Sequence, residues 1–413
     1  MTLRYRLGDS GPAVAEIRVK LAQLGLLDHT ESGVPLDTFD ADVDQAVRQF
    51  QQERGLTADG VVGSVTYRVL EEARWRLGDR LLSYVVANPQ SGDDVLALQR
   101  RLTELGFDVG RVDGIFGPRT GEALRDFQRN VGLPADGTCG PSTFKALGRL
   151  APIVTGGRPD SLRASEALRR AGKRLTGKVV VIDPGHGGPD RGHTGNGLEE
   201  ASIVEDLAAR IEGRLAATGV HAYLTRGPSL TSELDEVSRA EFANEAGANL
   251  VISLHVDGHR NAEACGVATY FYGSNRPGAN SAIGETFAGL IQREIVARTD
   301  LADCRTHPKT WDLLRHTRMA AVRVELGYIT NPQDAARLAD PDFRDVVAEA
   351  IVVAVQQIES NVLQPTIMRR AVALHPVVTL GVLTSGAVLI GIVGAFLAVP
   401  VAAVGSRSWM EAR

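Results

Sequence analysis

Two stretches of the 413-residue chain repeat one another, and this constrains the fold more than any other feature. Phe50-Gln51, Gly55-Leu56, Asp59-Gly60, Gly63 and Thr66 recur 77 residues later as Phe127-Gln128, Gly132-Leu133, Asp136-Gly137, Gly140 and Thr143. Upstream, Val14, Ile17, Leu21 and Gly25 match Val95, Leu98, Leu102 and Gly106 at an offset of 81, and the loop around residues 30–38 absorbs the difference. Residues 5–72 and 89–148 are therefore two copies of one unit. A fixed internal period marks a repeated supersecondary unit. Val95, Leu98 and Leu102 stand at i, i+3 and i+7, which predicts a helix, and Gly106 ends it. A second helix follows Thr120, a turn falls at Asp136-Gly137, and a third helix starts near Pro141. Each copy is expected to be a small three-helix bundle.

After a linker at 151–176, with a short Arg-rich helix expected near 162–171, the pattern changes from Lys178 to alternating strands and helices. That alternation is the signature of an α/β domain. At about 150 residues per domain, the length allows two or three domains. The hydrophobic share of 44% and charged share of 23% exclude general disorder. A net charge of -5 offers no overall basic field to nucleic acid. Cys139, Cys265 and Cys304 are too scattered for a disulfide framework and are expected as separate thiols. Met1 to Gly8 contains no apolar core of a signal peptide, so the expected location is cytoplasmic or membrane-associated. Residues 376–405 contain no Asp, Glu, Lys or Arg, a run long enough for a transmembrane helix.

Histidines and carboxylates stand where predicted strands end. His186 follows the first strand in Asp183-Pro184-Gly185-His186-Gly187-Gly188, and Glu200 follows Glu199 just before a helix. His255 ends a later strand in Ser253-Leu254-His255-Val256-Asp257, and Glu325 lies in Val324-Glu325-Leu326-Gly327-Tyr328. Ligands of α/β sheets bind outside the carboxyl ends of the strands. Two histidines, a glutamate and a water form a catalytic zinc set, because one coordination position stays open. Spacing alone does not join residues so far apart in the chain.

Three resemblances add to this. The second copy, with Leu98-Gln99-Arg100-Arg101-Leu102, Asp113-Gly114-Ile115-Phe116-Gly117-Pro118, Phe127-Gln128 and Asp136-Gly137, resembles the peptidoglycan-binding domains of cell-wall hydrolases. The first copy is a weaker match, because Leu36-Asp37-Thr38-Phe39-Asp40 replaces the Asp-Gly-x-Phe-Gly turn. Residues 178–358, with the motifs around His186, Glu200, His255 and Glu325 and the closing Asn331-Pro332-Gln333-Asp334, resemble the zinc-dependent N-acetylmuramoyl-L-alanine amidases of the amidase-3 type. The tail, with Val362-Leu363-Gln364-Pro365, Leu374-His375-Pro376 and the apolar run 391–404, resembles the end of the autoinducer-2-exporter-like permeases. It is too short to imply transport.

These resemblances imply a multidomain chain. Two all-α three-helix peptidoglycan-binding bundles (1–75 and 88–150) precede an α/β amidase domain (177–358) with a central, mostly parallel sheet. A hydrophobic C-terminal helix lies in the tail 359–413. The implied zinc ligands are His186, Glu200 and His255, with Glu325 as the catalytic group. Glu199 is expected as an exposed carboxylate at the helix start. Asp183 and Asp257 are candidates for orienting the histidines, alongside the alternative that they cap loops. The implied substrate is peptidoglycan or a muropeptide precursor, cut between N-acetylmuramic acid and L-alanine, with no nucleic acid and with membrane anchoring through the tail. Two departures stand out. Met319-Ala320-Ala321 lacks the proline usual before the glutamate strand, and Arg323 shares a strand face with Glu325 where the family has an apolar residue. An arginine there is expected to lower the pKa of the base and weaken it, to bind a substrate carboxylate, or to pair elsewhere. His193, His259, His307 and His316 are expected as surface or loop histidines. The second functional reading is a non-hydrolytic, amidase-fold regulatory protein that senses cell-wall precursors in the cytoplasm.

Overall fold

The computed structural model describes residues 4–27, 35–150, 176–227, 234–274 and 280–358. The expected linker helix near 162–171 and the hydrophobic tail helix at 376–405 lie outside those residues. Among the described residues no helix is long and apolar enough to cross a membrane.

The first repeat is α1 (Pro12–Gln23), α2 (Ala41–Arg54) and α3 (Ser64–Ala73); the second is α4 (Asp93–Glu104), α5 (Pro118–Asn130) and α6 (Pro141–Arg149). Each closes its own core, around Ile17, Leu21, Val47, Phe50 and Leu70 in the first and Leu98, Leu102, Phe116, Leu124 and Phe127 in the second. Buried glutamines hold the loops. Gln128 Nε2 donates to Asp136 Oδ1 (2.8 Å), Thr138 O (3.0 Å) and Thr143 Oγ1 (3.1 Å), and its Oε1 accepts from Gly137 N (2.9 Å). Gln51 makes the same set with Asp59, Val61, Thr66 and Gly60. Gln99 repeats it with Asp113, Ile115, Thr120 and Gly114. The motif residues Gln, Asp-Gly and Thr are thus one hydrogen-bonded plug. At the position of Gln99 the first repeat has Arg18, whose Nη1 donates to Thr38 O (3.1 Å) and Asp40 Oδ2 (2.7 Å). An Arg–Asp pair replaces the glutamine plug, which is why the Asp-Gly turn could be lost there.

The α/β domain runs β1 (Val179–Pro184), β2 (Thr194–Gly195), β3 (Leu198–Glu199), α7 (Glu200–Ala217), β4 (His221–Leu224), α8 (Glu236–Glu245), β5 (Leu250–Asp257), β6 (Val267–Tyr272), α9 (Ala282–Arg298), β7 (Asp303–Lys309), α10 (Asp312–His316), β8 (Ala320–Tyr328), α11 (Pro332–Ala339) and α12 (Pro341–Ile358). The six-stranded sheet has the order β4-β1-β5-β8-β6-β7. All neighbouring strands pair in parallel except β6 with β8. The sheet is thus mostly parallel, as expected, with one antiparallel pair that makes it mixed. β7 and α10 fall where no element was expected. Asp303 to Lys309 alternates no apolar residues and contains Pro308, a composition confined to edge strands.

Strand alternation divides the sheet into two unequal faces. Val180, Ile182, Leu250, Ile252, Leu254, Val322, Val324 and Leu326 face the long helices α7, α9 and α12 in the main core. Val181, Val251 and Ala321 face a smaller cluster with Ala243 of α8 and Leu313 and Leu314 of α10. Asp183, Ser253, His255, Arg323 and Glu325 continue this thinner face along β1, β5 and β8. The two repeats also dock on the α10 side, where Arg315 Nη1 donates to Glu72 (2.9 Å) and its Nε to Asp113 O (3.2 Å).

Gln128→Ala leaves Gly137 N and the Asp136 carboxylate without their buried partner. It should destabilise the second repeat by about 3 kcal/mol. Native-state hydrogen exchange should show faster exchange of the Phe127 to Thr143 amides with the first repeat unaffected.

Candidate active site

The loop after β1 bends sharply. His186 takes a positive φ of 57°, a region a histidine occupies only when its surroundings impose it. Two buried arginines impose it. Arg226 donates from Nε to Pro184 O (3.0 Å) and from Nη2 to Gly185 O (3.2 Å), while Arg239 Nη2 donates to His186 O (2.6 Å). Arg239 is held in turn by Asp183, whose Oδ1 accepts from its Nη1 (2.7 Å) and whose Oδ2 accepts from Ser253 Oγ (2.7 Å). Burial alone would raise the Asp183 carboxyl. Arg239, Thr225 and Ser253 overcome that and hold it below the usual carboxylate range. Gly185 is required by space, since a Cβ there would lie 2.2 Å from the His255 ring.

Glu200 opens α7 and is fully buried. It arrives there through a two-residue hairpin: Asn196 and Gly197 both have positive φ, the turn that joins β2 to β3. The hairpin lays residues 191–193 along the first turn of α7, where Glu200 N donates to His193 O (2.9 Å). Glu200 Oε2 accepts from His193 N (2.8 Å), and Oε1 accepts from Val256 N (3.0 Å). His186 Nε2 stands 3.2 Å and His255 Nδ1 2.9 Å from Glu200 Oε1. Burial opposes ionisation, yet the bonds to His186, His193 and His255 hold this carboxyl well below its usual range. His255 is pushed down as well, to about 4, by burial and by the positive charge of Arg323, which favours its neutral form.

The structure brings His186, Glu200 and His255 together, with ligand atoms all within 4.8 Å of one another. The donor set fits a divalent cation. It offers two imidazoles and one ionised carboxylate, and it sits in a cradle that a Cβ on Gly192 would fill, 2.6 Å from Glu200 Oε2. Glu325 stands on β8 directly across from His255 of β5. Its carboxyl is raised to about 7, foremost by burial and then by the negative charges of Asp257 and Glu200, against the opposing Arg323.

Several expectations change. Asp183 and Asp257 touch neither histidine: Asp183 braces the His186 loop through Arg239, and Asp257 Oδ1 accepts from Gly258 N (2.7 Å). The carboxylate on a histidine is Asp190, whose Oδ2 lies 2.6 Å from His186 Nδ1 and leaves Nε2 to face the cluster. Its signal was an acid four residues beyond a candidate ligand in the same glycine-rich loop. His193 is an exposed loop histidine as expected, yet its Nδ1 lies 3.0 Å from Glu200 Oε2. The other three bond locally: His259 Nδ1 accepts from Asn261 N, His307 Nε2 meets Cys304 O and His316 Nδ1 meets Asp312 O. Glu199 points outward to Arg191. Arg323 does share the face of Glu325, and its Nε donates to Glu325 Oε1 (2.8 Å). It does not depress that carboxyl below normal, because burial outweighs it.

Residues 180–357 match the family described as N-acetylmuramoyl-L-alanine amidase, and residues 10–70 and 91–147 match the putative peptidoglycan binding domain. Residues 338–412 match the AI-2E family transporter, a stretch that begins inside the amidase match. The chain is 49% identical over 363 residues to the N-acetylmuramoyl-L-alanine amidase CwlM of Mycobacterium tuberculosis, covering 86% of this chain and 89% of that one. It is 32% identical to the amidase LytC of Bacillus subtilis over 43% of this chain and 34% of that protein. Among solved structures, the amidase AmiC2 of Nostoc punctiforme is 30% identical, with a TM-score of 0.41 over 46% of this chain and 99% of that one.

Asp183→Asn strands Arg239 in the interior and should cost about 3–5 kcal/mol at pH 7. The folded carboxyl lies below the unfolded one, so its contribution is present above the unfolded pKa of about 4 and is lost as pH falls further. Urea midpoints of wild type and variant should therefore converge at acid pH. Calorimetric zinc titration should show binding lost in Glu200→Ala, weakened roughly 10–100-fold in Asp190→Asn, and unchanged in Glu199→Ala.

Proposed function

The chain belongs to the N-acetylmuramoyl-L-alanine amidase family, and from that premise we propose that it hydrolyses the amide bond between the lactyl group of N-acetylmuramic acid and L-alanine in peptidoglycan. His186, Glu200 and His255 would hold the zinc ion. When bound, zinc lowers the pKa of water and polarises the scissile carbonyl. Glu325 accepts the proton of the attacking water and delivers it to the departing amine of L-alanine. Asp190 fixes the tautomer of His186, and the Asp183–Arg239 pair fixes the backbone that carries it. The two repeats serve as peptidoglycan-binding modules.

One observation carries this reading: a buried carboxylate, Glu325, stands across a strand pair from a cluster of two histidines and a buried glutamate. A carboxyl raised to about 7 is matched to passing protons near neutrality.

A second reading rests on Arg323. Its Nε–H occupies Glu325 Oε1 at 2.8 Å, and its Nη1 donates to Glu236 at 2.9 Å. A glutamate held in this way suits a binding or regulatory protein that recognises muropeptides without cutting them.

The zinc-loaded full chain should release free stem peptide from muropeptides. Glu325→Ala should lower that rate by about 10²–10⁴-fold while retaining one equivalent of zinc. Zinc bound at one equivalent with no peptide released across several muropeptides contradicts the amidase reading, and muropeptide binding by the same protein would then support the second.

A further inference from the structure

The segment from Lys309 to Arg315 faces two ways. On one side it meets the first repeat. Thr310 N donates to Gly55 O (3.0 Å), Thr310 Oγ1 to Arg54 O (2.7 Å) and Lys309 Nζ to Leu56 O (3.0 Å). Arg68 Nη2 donates to Asp312, and buried Arg315 pairs with Glu72 at 2.9 Å. The fit is close at Gly55, where a Cβ would lie 2.8 Å from Gly273 O. Glu72 also accepts from Ser91 Oγ of the second repeat (2.7 Å), so one carboxylate joins all three bodies.

On the other side the same segment meets Arg323. The Trp311 ring lies under its guanidinium, 4.5 Å from Cζ to the ring centroid. Leu313 N donates to Glu236 Oε2 (3.1 Å), and Glu236 Oε1 accepts from Arg323 Nη1 (2.9 Å). With Trp311 beneath it and Glu236 holding one nitrogen, Arg323 is left with its Nε aimed at Glu325. Tyr270 packs against Trp311 at 4.7 Å and fixes the indole. The path from the first repeat to Glu325 is therefore an unbroken chain of named contacts.

We propose that docking of the first repeat on residues 309–315 positions Arg323 against Glu325, through Trp311 and Glu236, and thereby restrains Glu325 as a proton acceptor. The restraint follows from the bond itself. A charge-assisted N–H on Oε1 stabilises the ionised carboxylate and so makes it a weaker proton acceptor. Trp311 and Glu236 act through Arg323 and are positioning residues. Lifting the first repeat removes the hydrogen bonds that seat Thr310 and Asp312, frees Trp311 and Leu313, and lets Arg323 turn away from Glu325. The positioning stands on these contacts alone. Its effect on turnover rests on the amidase reading above.

The test uses the full chain with Arg68→Asp and Glu72→Lys, which reverse both charges facing Asp312 and Arg315. A compensated protein adds Asp312→Lys and Arg315→Asp. Exchange of the Arg323 Nε proton, followed by NMR of ¹⁵N-arginine-labelled protein and assigned with Arg323→Lys, should accelerate about tenfold or more in the reversed protein. It should return towards wild type in the compensated one. With zinc and muropeptide, kcat should rise about fivefold or more with KM unchanged. The reversal should have no effect on kcat in an Arg323→Met background. Unchanged exchange overturns the proposal, and so does a kcat that rises equally with Met at 323. Accelerated exchange in proteins that release no peptide at all upholds the positioning and overturns the amidase reading instead. If the reversed protein fails to fold, Trp311→Leu, which leaves the docking charges intact, should give the same acceleration.

Discussion

A fully buried, ionised carboxylate is the constraint on which this site depends. Glu200 lies out of water at the first turn of α7, and a charge in that position must be met by donors or a cation. The surrounding chain supplies the donors. The β2–β3 hairpin delivers the His193 amide, β5 delivers the Val256 amide, and His186 and His255 converge on the same oxygen. Gly185 and Gly192 are the places where a side chain would collide with that convergence. The strained backbone of His186 is tolerated because Arg226 and Arg239 hold the carbonyls around it. A cation seated among these three side chains would complete the charge balance that the histidines supply only in part.

The sheet explains why this cluster can be both buried and reachable. One face is covered by three long helices and filled with aliphatic side chains. Among the described residues the other is covered by α8, α10 and the docked repeats, and the odd-numbered residues of β1, β5 and β8 bring Asp183, His255, Arg323 and Glu325 to it. The catalytic candidates and the docking surface therefore share one side of the domain. That shared side is what lets Arg315 and Glu72 lie within a few residues of the contacts that hold Arg323.

Much of this was legible in the sequence. The repeated Gln, Asp-Gly and Thr positions marked three-helix units because each set closes one plug, and the same logic explains the deviant first copy, where Arg18 and Asp40 do the work of a glutamine. His186, Glu200 and His255, which the structure brings together, were legible through the motifs that carry the family resemblance. Four kinds of feature were not. β7 carries Pro308 and no apolar alternation, so only its partner β6 makes it a strand. Asp190 is marked only by standing four residues beyond His186, and His193 needs the hairpin at Asn196-Gly197 to reach Glu200. The balance at Glu325 could not be read at all, because the sign of the shift depends on how deeply the carboxyl is buried against how closely Arg323 approaches. Glu236 and Trp311 reach Arg323 from other elements, and no local pattern announces them.

The central claim is that this chain hydrolyses the bond joining the lactyl carbonyl of N-acetylmuramic acid to L-alanine, with Glu325 moving the proton. Hydrolysis of that bond leaves the oxygen of water on the acyl side. The most direct measurement is mass spectrometry of muropeptide treated with the zinc-loaded chain in ¹⁸O water. The account predicts one heavy oxygen in the lactyl carboxylate of the muramic acid product and none in the released stem peptide, with both products formed about 10²–10⁴-fold more slowly by Glu325→Ala. Intact muropeptide after prolonged incubation, or heavy oxygen in a peptide carboxylate, would contradict it.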